Sequence, residues 1–348
     1  MILVTKWFGS FLCVEGSVKK AVTFPKNPSD VAERLYRIRS GEVLDEERSL
    51  GGQATKVYDR RLAEFGRFTK FDSSFIRPED HGFSLDLYRE ATIELAKRAI
   101  KSSIGPDVFL GQAVRAYDDI VFTNNLLSER LHEWYSLHFP ELTEVLSKEA
   151  YTEAIANHGS REAILSSMAL DMDSLGADVQ DEDLAPIKGL ASALQRAMDS
   201  RRSMEQYVEA RMKQVAPNIC VLAGPIIGAR LIMQAGSLTR MASMPSGTIQ
   251  LLGAEKAMFR HLKKKTDPPK HGIIFQHPLV HNAPIWQRGP IARTLASKIS
   301  MAARADAYTK NDISGLLKEQ VERRVEEIRR QRPTPPKKPA GTRRKSKR

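Results

Sequence analysis

Two long stretches of heptad-spaced apolar residues constrain this chain more than any other feature. The first takes Leu110, Val114, Tyr117, Val121, Asn124, Ser128, Leu131, Tyr135, His138, Leu142 and Val145, of which eight of eleven are apolar. The second takes Ile187, Leu190, Leu194, Ala197, Arg201, Met204, Val208, Arg211 and Val215, with seven apolar of nine. Spacing near 3.5 residues puts such side chains on one narrow helix face that must meet a partner. The pair predicts a long antiparallel coiled coil over 106–216, its arms joined by an elaborated tip. Two ordinary helices on a globular core are the alternative. Leu131, Tyr135, Ile187, Leu190, Leu194, Met204 and Val208 are the expected seam. Two stripes of this length exceed what one hairpin buries, so two copies of the chain are expected to pair through them. The insert between the stripes carries Asp171, Asp173, Asp178, Asp181, Glu182 and Asp183. It lacks the spaced Gly and terminal Glu of an EF-hand, so it reads as a solvated acidic loop.

Charge separates the regions. Residues 106–216 carry a net −9, 217–315 a net +9, and the stretch from Arg329 onward has ten basic residues and no acidic one. A basic region and a basic tail beside an acidic middle point to a polyanion on one side of the molecule. The tail, 332–348, is rich in Pro and basic residues, cannot bury a core, and is expected to be disordered. Cys13 and Cys220 are the two cysteines, too few for a disulfide framework or a Cys-based zinc site. The longest uncharged apolar run, 216–229, is broken by Pro217, Asn218 and Pro225 and falls short of the ~20 residues of a membrane span. Met1 to Gly9 has no apolar core of signal-peptide length.

The first 25 residues read as a small β-meander punctuated by Gly9-Ser10 and Gly16-Ser17. Asn27-Pro28 then opens a helix that Gly41 ends. Residues 42–80 show no period and read as mixed strand and loop. Ser84 to Ile104 is again helical, completing an α/β unit over 1–105. Residues 217–331 are helical throughout. Ile226, Ile227, Leu231, Ile232 and Ala235 form one stripe, and a further helix runs from Gln287 to Tyr308. A last helix places Leu317, Val321, Val325 and Ile328 on one face. Lys256, Arg260, Lys263, Lys264 and Lys265 gather near Phe259 and Trp286, the mix of phosphate-neutralising and stacking groups that RNA binding needs.

Catalytic signatures are missing: there is no GxGxxG opening a βαβ unit, no Walker A motif and no HExxH. His277 and His281 are spaced as HPLVH, but Pro278 disturbs helical spacing and no Cys is near. No catalytic residue, metal or cofactor is expected.

The segment from Gly224-Pro225-Ile226-Ile227-Gly228-Ala229-Arg230 through Gly253-Ala254-Glu255-Lys256-Ala257 and Gln287-Arg288-Gly289 to Ala302-Ala303-Arg304 resembles a Nop domain. Leu131-His132-Glu133-Trp134-Tyr135-Ser136-Leu137-His138-Phe139-Pro140 is similar to the coiled-coil segment of the same family, most of all its archaeal form. The resemblance implies a non-catalytic scaffold of box C/D small ribonucleoproteins, which guide 2′-O-methylation of RNA. Its implied partners are the methyltransferase fibrillarin at the N-terminal domain, a second copy at the coil, and kink-turn guide RNA already held by a small ribosomal-protein-like binder. It implies a cytoplasmic protein in an archaeon and a nucleolar one in a eukaryote. It also implies that Gln250, Gly253, Ala254, Glu255 and Lys256 meet the RNA and its primary binder. Phe259 and Arg260 would approach the guide–substrate helix, with Lys263 a further RNA contact and Arg288 and Arg293 at a basic helix start. Pro290 stands where the family pattern has Lys and suits a first helical turn. A spliceosomal-type Nop factor, an RNA-modifying enzyme and a nonspecific basic RNA binder are the rival readings.

Overall fold

The computed structural model describes residues 1–264 and 266–336. It divides into two compact units, Met1–Gly105 and Pro106–Arg348. In the first, β1 (Ile2–Lys6), β2 (Gly9–Val14) and β3 (Ser17–Thr23) form an antiparallel meander. Helix α1 (Pro28–Arg39) starts as its sequence dictates, with the Asn27 side chain accepting from the Ser29 N–H and Pro28 in the first turn. Gly41 follows its end at a φ of +84°, a value that suits glycine. Residues 42–80 hold more structure than expected. Helix α2 (Asp45–Gly51) is anchored by the buried carboxylate of Glu47, which accepts from the Leu44 N–H at 2.7 Å, the Thr5 hydroxyl at 2.5 Å and the Arg61 guanidinium at 2.6 Å. Strands β4 (Lys56–Val57) and β5 (Arg67–Phe68) join in parallel, giving the order β3-β2-β1-β4-β5. Helix α3 (Leu85–Ser103), capped by Ser84, packs on α1.

The second unit begins with α4 (Pro106–Tyr135), 30 residues and about 45 Å long at 1.5 Å per residue. Three short helices follow: α5 (Leu142–Val145), α6 (Lys148–Asn157) and α7 (Arg161–Met168). The chain returns along α8 (Asp181–Val215). Leu110 and Val114 share a core cluster with Val208 and Met212, while Leu131 and Tyr135 share another with Ile187 and Leu194, so α4 and α8 run antiparallel. The stripes therefore form a hairpin, with three departures. First, α4 stops at Tyr135, ahead of the Pro140 that would break a continuing helix, so His138, Leu142 and Val145 leave its register. Second, the tip is a packed subdomain, with Tyr151, Ile155 and Ile164 buried against α8. Asp171, Asp173 and Asp178 lie exposed before α8, whereas Asp181, Glu182 and Asp183 form its first turn, where acidic groups complement the helix dipole. Third, the buried face of α8 runs Leu184, Ile187, Ala191, Leu194, Met198, Val208 and Met212. Leu190 and Met204 are half-buried, because a straight helix of 3.6 residues per turn drifts off a strict heptad.

Helices α9 (Pro217–Ala223), α10 (Pro225–Ala235), α11 (Leu238–Ser243), α12 (Ser246–Leu251), α14 (Pro278–His281), α15 (Ile285–Arg304) and α16 (Ser314–Gln331) build one core, to which α13 (Glu255–Lys264) adds no buried residue. Leu317, Val321, Val325 and Ile328 bury the expected face of α16. Helix α15 starts at Ile285, so Pro290 falls inside it rather than in the first turn and removes one helix hydrogen bond. The buried Asn218 and Asp306 tie α9 to the π-turn that ends α15. Among the described residues no single helix is long and apolar enough to cross a membrane; α9 and α10 bend by 118° at Gly224. Of the tail expected to be disordered, 332–348, residues 337–348 lie outside the described residues.

Candidate nucleic-acid interface

The residues singled out from the sequence separate into an exposed helix, a groove and a set of internal supports. Gly253 makes the corner between α12 and α13. Its φ is +84°, and a Cβ there would come within 2.6 Å of Ile273. The Glu255 carboxylate closes the corner by accepting from the Gly253 N–H at 2.8 Å and from Gln234 Nε2 at 3.0 Å. Burial works to raise its pKa, but these hydrogen bonds outweigh that and hold it below the usual carboxylate range. Ala254 is buried behind the turn. Glu255 and Ala254 thus shape the corner, and Glu255 has no cationic role in binding a polyanion.

Helix α13 then projects with no buried residue. Lys256, Arg260 and Lys263 are exposed, and Phe259 and Leu262 are 64% and 69% exposed. Phe259 and Leu262, three residues apart, share this short helix with Lys256, Arg260, Lys263 and Lys264. This arrangement provides phosphate neutralisation and an apolar face together.

Arg293 lies elsewhere, in a groove of about 1540 Å³ between α12, α15 and α16. Ser246, Gly247, Lys270, Trp286, Ser297 and Arg324 share its wall, with Asp267 as an acidic member. Further along α15, Ser300 is buried and Arg304 donates to the Ala242 carbonyl at 3.3 Å. Lys270 was not singled out from sequence; it follows a Pro pair in a segment without periodicity, and only the fold brings it beside Arg293.

Two expected contact residues make internal hydrogen bonds. Gln250 is 8% exposed, and its Nε2 donates to the Lys270 carbonyl at 2.6 Å. It pins the 266–272 segment onto α12. The Arg288 guanidinium donates to the carbonyls of Ala283 (2.8 Å) and His281 (3.1 Å) and stacks over Phe275 at 5.3 Å. His277 caps α14 through Nδ1, which accepts from the Leu279 N–H at 3.2 Å. Among the described residues no group of three His, Cys, Asp or Glu is placed to hold a metal ion.

With this geometry in hand, the family model described as "Nop: snoRNA binding domain, fibrillarin" matches residues 116–327, more than half of the chain. The chain belongs to the Nop family. An uncharacterized NOP5 family protein of Methanocaldococcus jannaschii is 42% identical over 288 residues, covering 78% of this chain and 67% of that protein. Nucleolar protein 58 of Candida glabrata is 38% identical over 242 residues, covering 64% of this chain and 47% of that protein. The chain thus spans two thirds of the archaeal relative and under half of the fungal one. A chain in a crystal structure of a fibrillarin/Nop5p complex covers 94% of this chain, and all of itself, at 20% identity with a TM-score of 0.42, a likeness too loose to bear on function. The family match contains α13, most of the groove wall and most of the hairpin.

Proposed function

We propose that this chain is the scaffold of a box C/D small ribonucleoprotein. In this reading the second unit binds kink-turn guide RNA together with its small ribosomal-protein-like binder. The first unit docks fibrillarin, which carries out the 2′-O-methylation. The observation that carries it is α13: a helix that buries nothing of its own, bears Lys256, Arg260 and Lys263, and exposes Phe259 and Leu262, inside a match to a snoRNA-binding family. Gly253 and Glu255 set the angle of that helix, and Gln250 and Arg288 hold the segments around it. The chain supplies position rather than chemistry, which is how a fixed geometry accelerates a reaction performed by another subunit.

Self-association belongs to the same reading, and of the expected seam Met204 lines the surface that remains for it. Leu131, Tyr135, Ile187, Leu194 and Val208 are buried within the chain's own hairpin. Part of the apolar surface left over is a groove of about 840 Å³ lined by Phe109, Ala116, Ile120, Met204 and Tyr207. A second copy of the hairpin fits there, forming a four-helix bundle. The fungal relatives are named as nucleolar proteins; location in this organism follows from whether it has a nucleus.

The test is reconstitution. The chain alone should transfer no methyl group to RNA. Guide RNA, the kink-turn binder and fibrillarin together should restore site-specific transfer only when the chain is present. Saturable cofactor binding and methyl transfer by the chain alone favour the RNA-modifying enzyme. Equal affinity for kinked and straight RNA favours the nonspecific binder.

A further inference from the structure

The segment 266–272, which follows α13, has no fully buried residue, so apolar packing does not set its path. Hydrogen bonds to the end of α12 set it instead. The buried Gln250 side chain donates through Nε2 to the Lys270 carbonyl at 2.6 Å. The Gln250 carbonyl accepts from the Gly272 N–H at 2.9 Å, and the Leu252 carbonyl accepts from the Ile273 N–H at 2.8 Å. The approach is so close that a Cβ on Gly272 would collide with the Leu252 carbonyl oxygen. Pro268 and Pro269 restrict the backbone just before Lys270. Lys270 itself is exposed, on the wall of the groove that also holds Arg293.

We propose that Gln250 is a positioning residue for RNA recognition: it fixes the backbone of Lys270 so that the ammonium group, together with Arg293, meets the phosphate backbone of RNA in the groove. The inference rests on the RNA-binding reading of the second unit. Arg324 is paired with Glu327, so Lys270, Arg293 and Arg332 are the cations this wall offers to a polyanion, against Asp267. Ser246 and Ser297 on the same wall add hydroxyl groups, which suit phosphate oxygens. Lysine carries its charge on a flexible four-carbon stem, so ordering it on a ligand costs side-chain entropy. A lysine whose backbone also moved would lose more. With the Lys270 carbonyl tied to Gln250, only the side chain remains to be ordered when phosphate arrives, which is preorganisation. The tie is made at the carbonyl and leaves the ammonium group free, so Gln250 acts through Lys270 rather than by touching RNA.

The experiment measures affinity of the full chain for kink-turn RNA carrying its binder, across a salt series, for the parent, Gln250→Met, Lys270→Met and the double variant. Methionine keeps an unbranched stem and removes the amide or the charge; thermal melting checks that each variant is folded. Lys270→Met should weaken binding about fivefold and lower the salt slope by about one, because one phosphate is no longer neutralised. Gln250→Met should weaken binding about two- to threefold, because a loosened lysine must be ordered on binding. It should add nothing once Lys270 is already Met. Gly272→Ala displaces the same segment without altering the Gln250 side chain. It should weaken binding in the parent and not in Lys270→Met, and it serves in place of Gln250→Met if that variant does not fold. A merely structural role for Gln250 would weaken both backgrounds alike, and that outcome overturns the proposal. So does parent-like binding by Lys270→Met or by folded Gln250→Met. If the parent binds no RNA at any salt concentration, the RNA-binding reading itself fails, and the role of Gln250 with it.

Discussion

Arg230 on α10 grips Asp118 on α4 in a forked ion pair, its Nε lying 3.0 and 3.2 Å from the two carboxylate oxygens while Nη2 approaches the first of them. The same guanidinium lies 6.0 Å from the Tyr117 ring centre and donates to Gln276. One side chain thus joins the hairpin, the helical core and the segment before α14. The pair is partly solvated, which limits its strength. A double-mutant cycle with Arg230→Ala and Asp118→Ala should give a coupling of about 1 kcal/mol in unfolding free energy, from the forked geometry and despite solvent screening. Additive effects would show that the two groups are neighbours without energetic coupling.

The Asn218–Asp306 pair should matter more. Both residues are buried. Asp306 accepts from the Asn218 N–H at 3.1 Å, from its side-chain amide at 2.6 Å and from the Ile219 N–H at 2.9 Å, while Asn218 Oδ1 accepts from the Ile313 N–H at 2.7 Å. Asp306→Ala leaves three buried donors without that acceptor. The expected loss is about 3 kcal/mol or more, at ~1–3 kcal/mol per orphaned group with partial relaxation. Urea denaturation measures it as a lower midpoint; a midpoint within error of the parent would contradict the assignment.

His277 gives the fold a pH dependence. Burial pushes its pKa below the ordinary histidine value, partly offset by a hydrogen bond to the Leu222 backbone. The neutral ring is also what the cap requires, since Nδ1 accepts from Leu279. The folded pKa lies below the unfolded one, so the unfolded chain takes up the proton first as pH falls. Stability from this residue is full above the unfolded value, near 6.5, and declines as pH drops toward the folded value. His277→Asn keeps a cap acceptor and removes the titration. Melting temperatures of the parent should fall between pH 7 and 5 more steeply than those of the variant; parallel curves would contradict this.

Much of the fold was legible because its signals are local. The stripes of α4, α8, α10 and α16 repeat along the chain, and Asn27-Pro28, Ser84 and Gly41 mark helix ends by chemistry that acts within one turn. Helix α2 was not legible. Its sequence is nearly all polar, and what stabilises it, Glu47 meeting Thr5 and Arg61, joins residues far apart in sequence. The tip failed for a related reason: a heptad continues on paper through Pro140, but the backbone cannot. At the interface, residue type identified Lys256, Phe259 and Arg293 as suitable contact groups, and they are exposed. Gln250 and Arg288 have equally suitable chemistry, but it is used on carbonyls that only the fold brings near.

Self-association should respond to the surface residue rather than to the seam. Tyr207 lines the apolar groove on the hairpin and is exposed, whereas Leu194 is fully buried. Light scattering of the parent should give about twice 39.0 kDa. Tyr207→Glu should shift it to the monomer mass with the helical signal retained, because a carboxylate loses hydration in an apolar interface. Leu194→Glu should lower the melting temperature of the hairpin itself. A parent that is monomeric at micromolar concentration would remove the proposed bundle.

Recognition and support can be separated on the second unit by comparing Lys256 with Arg288. Lys256 is exposed on the first turn of α13 and its side chain makes no hydrogen bond among the described residues, so Lys256→Glu reverses a charge at the surface. Binding to kink-turn RNA with its small binder should weaken by about tenfold or more, the size of a lost charge-assisted contact, at unchanged melting temperature. Phe259→Ala should give a loss of comparable size, since one stacking contact is worth ~1–3 kcal/mol, and again leave stability intact. Arg288→Ala should behave in the opposite way. It frees the Ala283 and His281 carbonyls and uncovers Phe275, so melting temperature falls first and binding falls with it. If Arg288→Ala instead weakens RNA binding at full stability while Lys256→Glu does not, recognition lies on the α14–α15 side of the unit and α13 is not the contact helix.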